Sequence, residues 1–177
     1  MSLKFKRSIP TGAIFSPCRR YRYVLLRNWD SSRPTLLFIG LNPSTADETV
    51  NDPTMRRCLG FANAWGYGGM IVTNVFGYRA TKPTDLREAK DPIGPECDRW
   101  IATLCDYVML QDGTAHGKDV ILFWGNHGKL LGRDRTILPL IQSIVPHPHC
   151  LAITKQNQPS HLLYLRKSLK PIPYIES

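Results

Sequence analysis

The stretch that decides the fold is LLFIGLNPSTAD, residues 36–47. A short apolar run ends here in a small, polar loop, and a helix begins shortly after it at Asp52-Pro53. Ligands of open α/β sheets bind at the carboxyl ends of the strands, where such loops gather. We expect Asn42 to project from the strand end and Pro43 to fix the turn after it. The stretch therefore predicts one wall of a binding site.

The rest of the chain alternates short apolar strands with amphipathic helices. Strands are predicted at residues 21–26, 35–39, 70–73, 120–124 and 150–153, and helices at residues 52–65, 97–108 and 130–144. Residues 75–95 are predicted to form a long loop, and the arginine-rich first strand an antiparallel edge. This alternation predicts an α/β fold, a three-layer α/β/α sandwich with a mainly parallel central sheet.

The length of 177 residues predicts a single domain over residues 1–177, with a core at residues 20–165 between a peripheral N-terminal arm and C-terminal tail. No apolar run reaches the about 18 residues of a membrane span, and no apolar signal core follows the basic N-terminus. We therefore expect a cytoplasmic protein with no membrane partner. The odd number of cysteines, five, favours buried free thiols. The sequence leaves the oligomeric state open.

The net charge is +9, and the pI is near 9.5. Such a surface suits a nucleic-acid or nucleotide partner, because phosphates are bound by Lys and Arg. The alternative is a basic surface with no special partner. Composition alone does not choose between the two.

Polar residues follow four of the predicted strands, at the edge where parallel strands bring their ends together. They are Asn42 and Ser44, Asn74, Gly125 and Asn126, and Thr154 and Lys155, with His161 a few residues further on. An asparagine donates and accepts hydrogen bonds without carrying charge, so it can orient a water or read a nucleobase. A histidine can act as an acid or base near neutral pH. The alternative is that these side chains only satisfy backbone groups in turns.

Several of these motifs together resemble an uncharacterised bacterial and phage family, the domain of unknown function numbered 1643. The similar segments are GLNPSTAD (40–47), NDPTMRR (51–57), TNVFGYRAT (73–81), WG (124–125), TK (154–155) and PSHLLYL (159–165). The resemblance covers about residues 20–165. The family pattern has a proline after the last histidine, where this chain has Leu162.

A more distant resemblance is to the uracil-DNA glycosylase superfamily. GLNP (40–43) is similar to its first motif, where a polar residue positions the hydrolytic water. VTNV (72–75) resembles its base-reading strand, LFWG (122–125) its third core strand, and SHLL (160–163), loosely, its leaving-group loop. The resemblance implies a glycosylase-like fold and an N-glycosidic-bond hydrolase acting on a nucleobase, nucleoside or nucleic acid.

The candidate site residues divide by role. The catalytic candidates are Asn42 for the water, His161 for the leaving base, and Asp47 or Asp52 as the general base. The candidates for substrate binding are Gly40, Pro43, Ser44, Thr45, Asn74, Arg79 and Lys155. Asp52 has a competing explanation as a helix N-cap. The loop after Asn42 carries no aromatic residue to stack on a base.

No metal or cofactor is expected. The chain has no Cys-x-x-Cys pair for the iron–sulfur cluster of some glycosylases. His147 and His149 could share a face as metal ligands, but a third ligand with recognisable spacing is missing, and a plain loop before a strand is the favoured explanation.

The second functional hypothesis is a non-catalytic module that binds a nucleotide or nucleic acid in the same pocket. The two hypotheses differ in geometry. A catalytic site needs Asn42, a carboxylate and His161 around one cavity of ligand size.

Overall fold

One mixed sheet runs through the part of the chain that the computed structural model describes, residues 11–111 and 119–175. Residues 1–10 of the expected N-terminal arm lie outside that part. The seven strands are β1 (Thr11–Phe15), β2 (Arg22–Asn28), β3 (Thr35–Gly40), β4 (Gly69–Asn74), β5 (Val120–Leu122), β6 (His149–Cys150) and β7 (Ile172–Pro173). Their spatial order is β1-β2-β4-β3-β5-β6-β7.

The four neighbouring strands β4, β3, β5 and β6 are parallel, and the outer strands pair antiparallel to them or to one another. The predicted mixed α/β class is thus confirmed. The arginine-rich strand β2 is antiparallel as expected, but it is not the edge, because β1 pairs along its outer side. Strand β7 was not predicted. It pairs with β6, so part of the C-terminal tail joins the sheet.

Four helices connect the strands. They are α1 (Pro53–Ala64), α2 (Pro83–Glu88), α3 (Cys97–Met109) and α4 (Arg133–Gln142). The segment predicted as a long loop contains α2, where the Asp85 carboxylate accepts the backbone N–H of Lys82 and caps the first turn. Helix α4 begins later than predicted, since residues Asn126–Gly132 form 3₁₀ turns instead. Strand β5 ends earlier than predicted, and the chain turns away at Gly125, whose φ is 66°.

Helices cover both faces of the sheet. Along β3, Leu36 and Phe38 point to the face covered by α1, and Leu37 and Ile39 to the face covered by α3 and α4. All four side chains are fully buried, as the near-continuous apolar run predicts for a central parallel strand.

Four of the five cysteines are buried free thiols, as predicted, and Cys18 is exposed. The buried ones are Cys58, Cys97, Cys105 and Cys150.

Strands β3 and β4 end side by side, which aligns the two loops that follow them. Gly40 pairs with Asn74, and the Val75 N–H donates to the Gly40 carbonyl at 2.9 Å. A Cβ atom on Gly40 would lie 2.5 Å from Cζ of Phe123 and 2.9 Å from Nδ2 of Asn74. Position 40 therefore needs glycine, because a larger residue would displace two side chains at the strand ends.

Candidate active site

A cavity of about 580 Å³ lies at the carboxyl ends of the parallel strands. Each of the four predicted strand ends contributes to its wall. The contributors include Asn42 after β3, Asn74 at the end of β4, Phe123 after β5, and Thr154 and His161 after β6, with Asp52 from the start of α1. We call it the main cavity. The geometric requirement for a catalytic site is met, since Asn42, a carboxylate and His161 border one space of ligand size.

The Asn42 amide is held in one orientation by two backbone carbonyls. Its Nδ2 donates to the Ala80 carbonyl at 2.7 Å and to the Pro43 carbonyl at 3.0 Å. Among the described residues no group donates to its Oδ1. The oxygen is therefore free to accept a hydrogen bond from a water or ligand in the main cavity.

Asn74 is only 4% exposed, and its Oδ1 is buried without a hydrogen-bond partner in the described part of the chain. A buried carbonyl oxygen without a donor costs about 1–3 kcal/mol, so such an atom needs an explanation. Asn74 lines the main cavity, where a ligand N–H or O–H can supply the missing donor.

Asp52 is the N-cap of α1 and also lines the main cavity. Its Oδ1 accepts the Met55 N–H at 2.8 Å, which is the N-cap bond of α1. Within the described residues its Oδ2 makes no hydrogen bond, and the residue lines the main cavity. The cap fixes the carboxylate in place while one oxygen remains for chemistry.

His161 is a neutral hydrogen-bond donor in this arrangement. Burial lowers the pKa of its imidazole below 6.5, and the nearby charge of Asp52 offsets only part of that shift. Its Nδ1 accepts the Leu163 N–H at 3.4 Å, so the proton of the neutral ring sits on Nε2. The ring packs edge-on against Phe123, with 5.5 Å between the ring centroids.

Three aromatic side chains, Phe123, Trp124 and Tyr164, border the main cavity although the loop after Asn42 has none. Phe123 comes from the end of β5 and is buried, whereas Tyr164 is 89% exposed. Aromatic side chains therefore border the main cavity, supplied by other segments than the loop after Asn42.

Arg22 is a site residue that sequence reasoning missed. It is 1% exposed, lines the main cavity, and donates from Nη1 to the Ala46 carbonyl at 2.6 Å. Its Nε is buried without a partner in the described chain. Burial lowers the pKa of the guanidinium to about 10, with Asp52 opposing the shift, so the group stays charged at neutral pH.

A β-bulge explains why Arg22 was missed. Ile14 pairs with Val24 and Phe15 with Arg22, so Tyr23 is an extra residue in β2. Tyr23 and Val24 both pack on the α3 side of the sheet, and Arg22 is left pointing to the opposite side. Simple alternation would have placed Arg22 with Val24.

A second, smaller space of about 390 Å³ adjoins the main cavity and shares Ser44, Ala80 and Thr81 with it. Its walls include three arginines, Arg19, Arg20 and Arg79, and we call it the arginine groove. The predicted substrate-binding residues Ser44, Thr45 and Arg79 lie here. The predicted set is thus divided between two adjoining spaces.

The remaining predicted site residues line neither the main cavity nor the arginine groove. Asp47 turns its own loop, because its Oδ1 accepts the N–H groups of Thr49 and Val50 at 2.9 and 2.7 Å. Lys155 is exposed and borders neither space. Gly40 and Pro43 shape the strand end, and the Pro43 carbonyl accepts the Ala80 N–H at 2.9 Å.

The chain matches a known family model. The model of a family described as protein of unknown function (DUF1643) matches residues 22–163. The chain belongs to this family. No curated protein and no solved structure matches this DUF1643 member.

The described residues of this DUF1643 protein contain neither a membrane-spanning helix nor a metal-binding cluster. None of its helices there combines the length and apolar character that crossing a bilayer requires. No cluster of three or more His, Cys, Asp or Glu side chains there could hold a metal ion. His149 instead uses its Nδ1 in a 2.9 Å hydrogen bond with the His147 carbonyl.

Proposed function

We propose that the protein is a glycosylase-like hydrolase that cleaves the bond between a nucleobase and its sugar. The observation that carries the proposal is the main cavity, which brings Asn42, Asp52 and His161 to one space together with an unpartnered Asn74 carbonyl. A water orienter, a general base, a leaving-group donor and a base reader are the groups that this reaction uses.

The attacking water would be held by Asn42 and activated by Asp52. Asn42 Oδ1 accepts a hydrogen bond from one O–H of the water, which stays on the oxygen, and the Asp52 carboxylate takes the other proton as the water oxygen bonds to the anomeric carbon. The bond from that carbon to the base nitrogen breaks, and its electron pair leaves with the base. The proton on Asp52 then passes to the departing base, which balances the reaction.

The departing base would be stabilised by His161. The neutral ring presents an Nε2–H donor in a partly buried environment, where a hydrogen bond to developing negative charge is stronger than in water. Asn74 would recognise the edge of the base through its orphan carbonyl oxygen, and Phe123 would pack beside it.

The partner in this proposal is a nucleic acid or nucleotide. The net charge of +9 and the arginines beside the main cavity support it. The proposal also includes a glycosylase-like architecture, for which the parallel strands with loops meeting at one edge and helices on both faces are the supporting features.

The test is a base-release assay. Free nucleosides and DNA and RNA strands carrying damaged and modified bases are incubated with the wild type and with Asn42→Ala, and released bases are identified by mass spectrometry. We expect release of at least one base by the wild type and a strongly reduced rate for Asn42→Ala.

The binding module is the alternative outcome. If no substrate releases its base while labelled strands still bind, and binding weakens in Asn74→Ala, the cavity holds a base without cleaving it. Thermal melting of both variants shows whether each is folded.

A further inference from the structure

We propose that the arginine groove binds phosphates of a polynucleotide strand whose base occupies the main cavity. The inference rests on the proposed function in one respect, that a nucleobase is the occupant of the main cavity. It adds the class of substrate, a nucleic-acid strand rather than a free nucleoside, and a binding site for its backbone.

The first support is the state of the Arg79 guanidinium. Its Nε is buried without a hydrogen-bond partner in the described chain, and its Nη1 makes only a 3.3 Å bond to the Arg19 carbonyl. No carboxylate in the described chain pairs with Arg79. A guanidinium with unused donors is suited to the oxygens of a phosphate, which it can bind with two parallel hydrogen bonds.

The second support is the crowding of positive charge on one aromatic ring. The guanidinium carbons of Arg19 and Arg79 lie 4.1 and 5.0 Å from the ring centroid of Phe15. The ring attracts each cation, but the two cations repel one another. A phosphate between them would remove that repulsion, while the stacked geometry keeps both groups in position.

The third support is a set of hydroxyl groups that line the groove. Ser44, Thr45 and Thr81 border the groove, and none of their hydroxyls makes a hydrogen bond within the described residues. Hydroxyls of Ser and Thr are common partners of phosphate oxygens. Arg20 adds a third, exposed cation.

Two acids lie close to these cations, and neither removes their charge. Glu48 pairs with Arg19 at 3.0 Å on the exposed surface, where such a pair contributes little. Asp85 borders the groove and is occupied in capping α2 through the Lys82 N–H. Arg79 remains for a ligand, and Arg20, which contacts the Cys18 thiol, has further N–H donors.

Continuity between the two spaces determines the kind of ligand. The groove and the main cavity share Ser44, Ala80 and Thr81, so one molecule can place a base in the main cavity and a neighbouring phosphate in the groove. The buried Arg22 extends the positive charge into the main cavity. A free nucleoside carries no phosphate and would leave these arginines unused.

The experiment measures the affinity for a fluorescently labelled single-stranded oligonucleotide at increasing salt concentration. The proteins are the wild type, Arg20→Ala, Arg79→Ala, Arg79→Lys and the control Arg33→Ala. Arg33 is also an exposed arginine, but it precedes β3 at the opposite edge of the sheet and pairs with Asp30 at 2.8 Å. Arg20 is exposed, so its variant tests the groove even if Arg79→Ala fails to fold.

We expect Arg20→Ala and Arg79→Ala each to lower the salt slope of the logarithm of the affinity by about 0.7, the value for one phosphate contact on a single strand. Arg79→Lys should recover the slope but not the full affinity, and Arg33→Ala should match the wild type. A methylphosphonate strand, which lacks the backbone charge, should lose the dependence on Arg20 and Arg79. The proposal would be overturned if the salt slopes of Arg20→Ala and Arg79→Ala equalled that of Arg33→Ala. It would also be overturned if poly-glutamate competed for the protein as well as an unlabelled oligonucleotide does.

This result is independent of catalysis. If the salt slopes are reduced but no base is released, the phosphate-binding role of the groove is supported and the glycosylase activity is rejected. Base release from free nucleosides, with unchanged slopes in the groove variants, would reject the groove and retain the glycosylase.

Discussion

The main cavity and the arginine groove adjoin one another but are built in opposite ways. Polar groups of the main cavity are buried or fixed by the backbone, as with the Asn42 amide on two carbonyls and the Asp52 carboxylate on the first turn of α1. The groove presents the exposed Arg19 and the half-buried Arg79, both held by stacking on Phe15. Fixed dipoles suit bond cleavage, because they need no rearrangement during the reaction. Exposed charges suit the capture of a polyanion.

Substitutions in the main cavity and in the arginine groove should therefore have different effects. Changes in the main cavity should lower the rate of base release and leave strand affinity intact. Changes in the groove should lower affinity and its salt dependence and leave the rate at saturation intact. The following substitutions, in order of decreasing expected effect, test whether effects on the rate and effects on the affinity separate in this way.

The largest effect is expected for Asp52→Asn. Asparagine keeps the N-cap bond to Met55 but removes the general base, so single-turnover base release should fall by about 10²–10⁴-fold. Strand affinity and thermal melting should stay near the wild-type values. Asp52→Ala is the matched variant that also loses the cap, with about 1 kcal/mol of stability. A wild-type rate in Asp52→Asn would remove this residue from the chemistry.

The second prediction concerns His161→Gln and pH. The rate should fall by about 10²-fold, because a preorganised donor to the departing base is weakened. The folded-state pKa of His161 is depressed below 6.5, so the unfolded chain binds more protons between the two values. The histidine's contribution is therefore complete above pH 6.5 and is lost as the pH falls through the folded value.

Urea unfolding of the wild type and His161→Gln at several pH values measures that contribution. The unfolding free energy of the wild type should fall relative to that of His161→Gln as the pH is lowered below 6.5. A difference that does not change with pH would show that His161 is not buried in its neutral form.

The third prediction compares two arginines of β2. Arg22 donates to the Ala46 carbonyl and Arg27 to the Asp47 carbonyl at 2.8 Å, but only Arg22 lines the main cavity. Each change to methionine should lower the unfolding free energy by about 1–3 kcal/mol, because a carbonyl loses its donor. Only Arg22→Met should also lower base release per folded molecule. Equal losses of base-release rate in both variants would mean that activity depends on the loop that carries the Ala46 and Asp47 carbonyls and not on the Arg22 guanidinium.

The smallest effect is expected at Cys18, next to the groove. The pKa of its thiol is lowered to about 7, first by the Ser16 hydroxyl and then by Arg20. Alkylation by iodoacetamide should therefore have a midpoint near pH 7 and move to higher pH in Arg20→Ala. Peptide mapping should show no reaction at the four buried cysteines of the native protein. A bound strand should slow alkylation of Cys18, and an unchanged rate would place the strand elsewhere.

The sequence predicted the framework of the main cavity because its signals are local. The apolar run before Asn42 and the helix signal at Asp52-Pro53 place two walls, and the short strand before Asn74 places a third. The periods of strands and helices made the mixed α/β class predictable.

What the sequence did not reveal depends on contacts between distant segments. The bulge at Tyr23 reverses the direction of Arg22, and it arises only from the pairing of β1 with β2. Strand β7 has two residues and exists through its pairing with β6. The groove joins Arg19 and Arg79, which are far apart in sequence and meet on Phe15. None of these has a local pattern.

The central claim is that the main cavity directs water to the anomeric carbon of a nucleotide. Its most direct test is base release in water enriched in the heavy oxygen isotope, followed by mass spectrometry of the products. The control for oxygen exchange is abasic product that is made in ordinary water, transferred to the enriched water and analysed in the same way. We expect one heavy oxygen on the sugar, an unlabelled free base and an intact phosphodiester backbone. Heavy oxygen on a phosphate, or a released base with no label on the sugar, would contradict it.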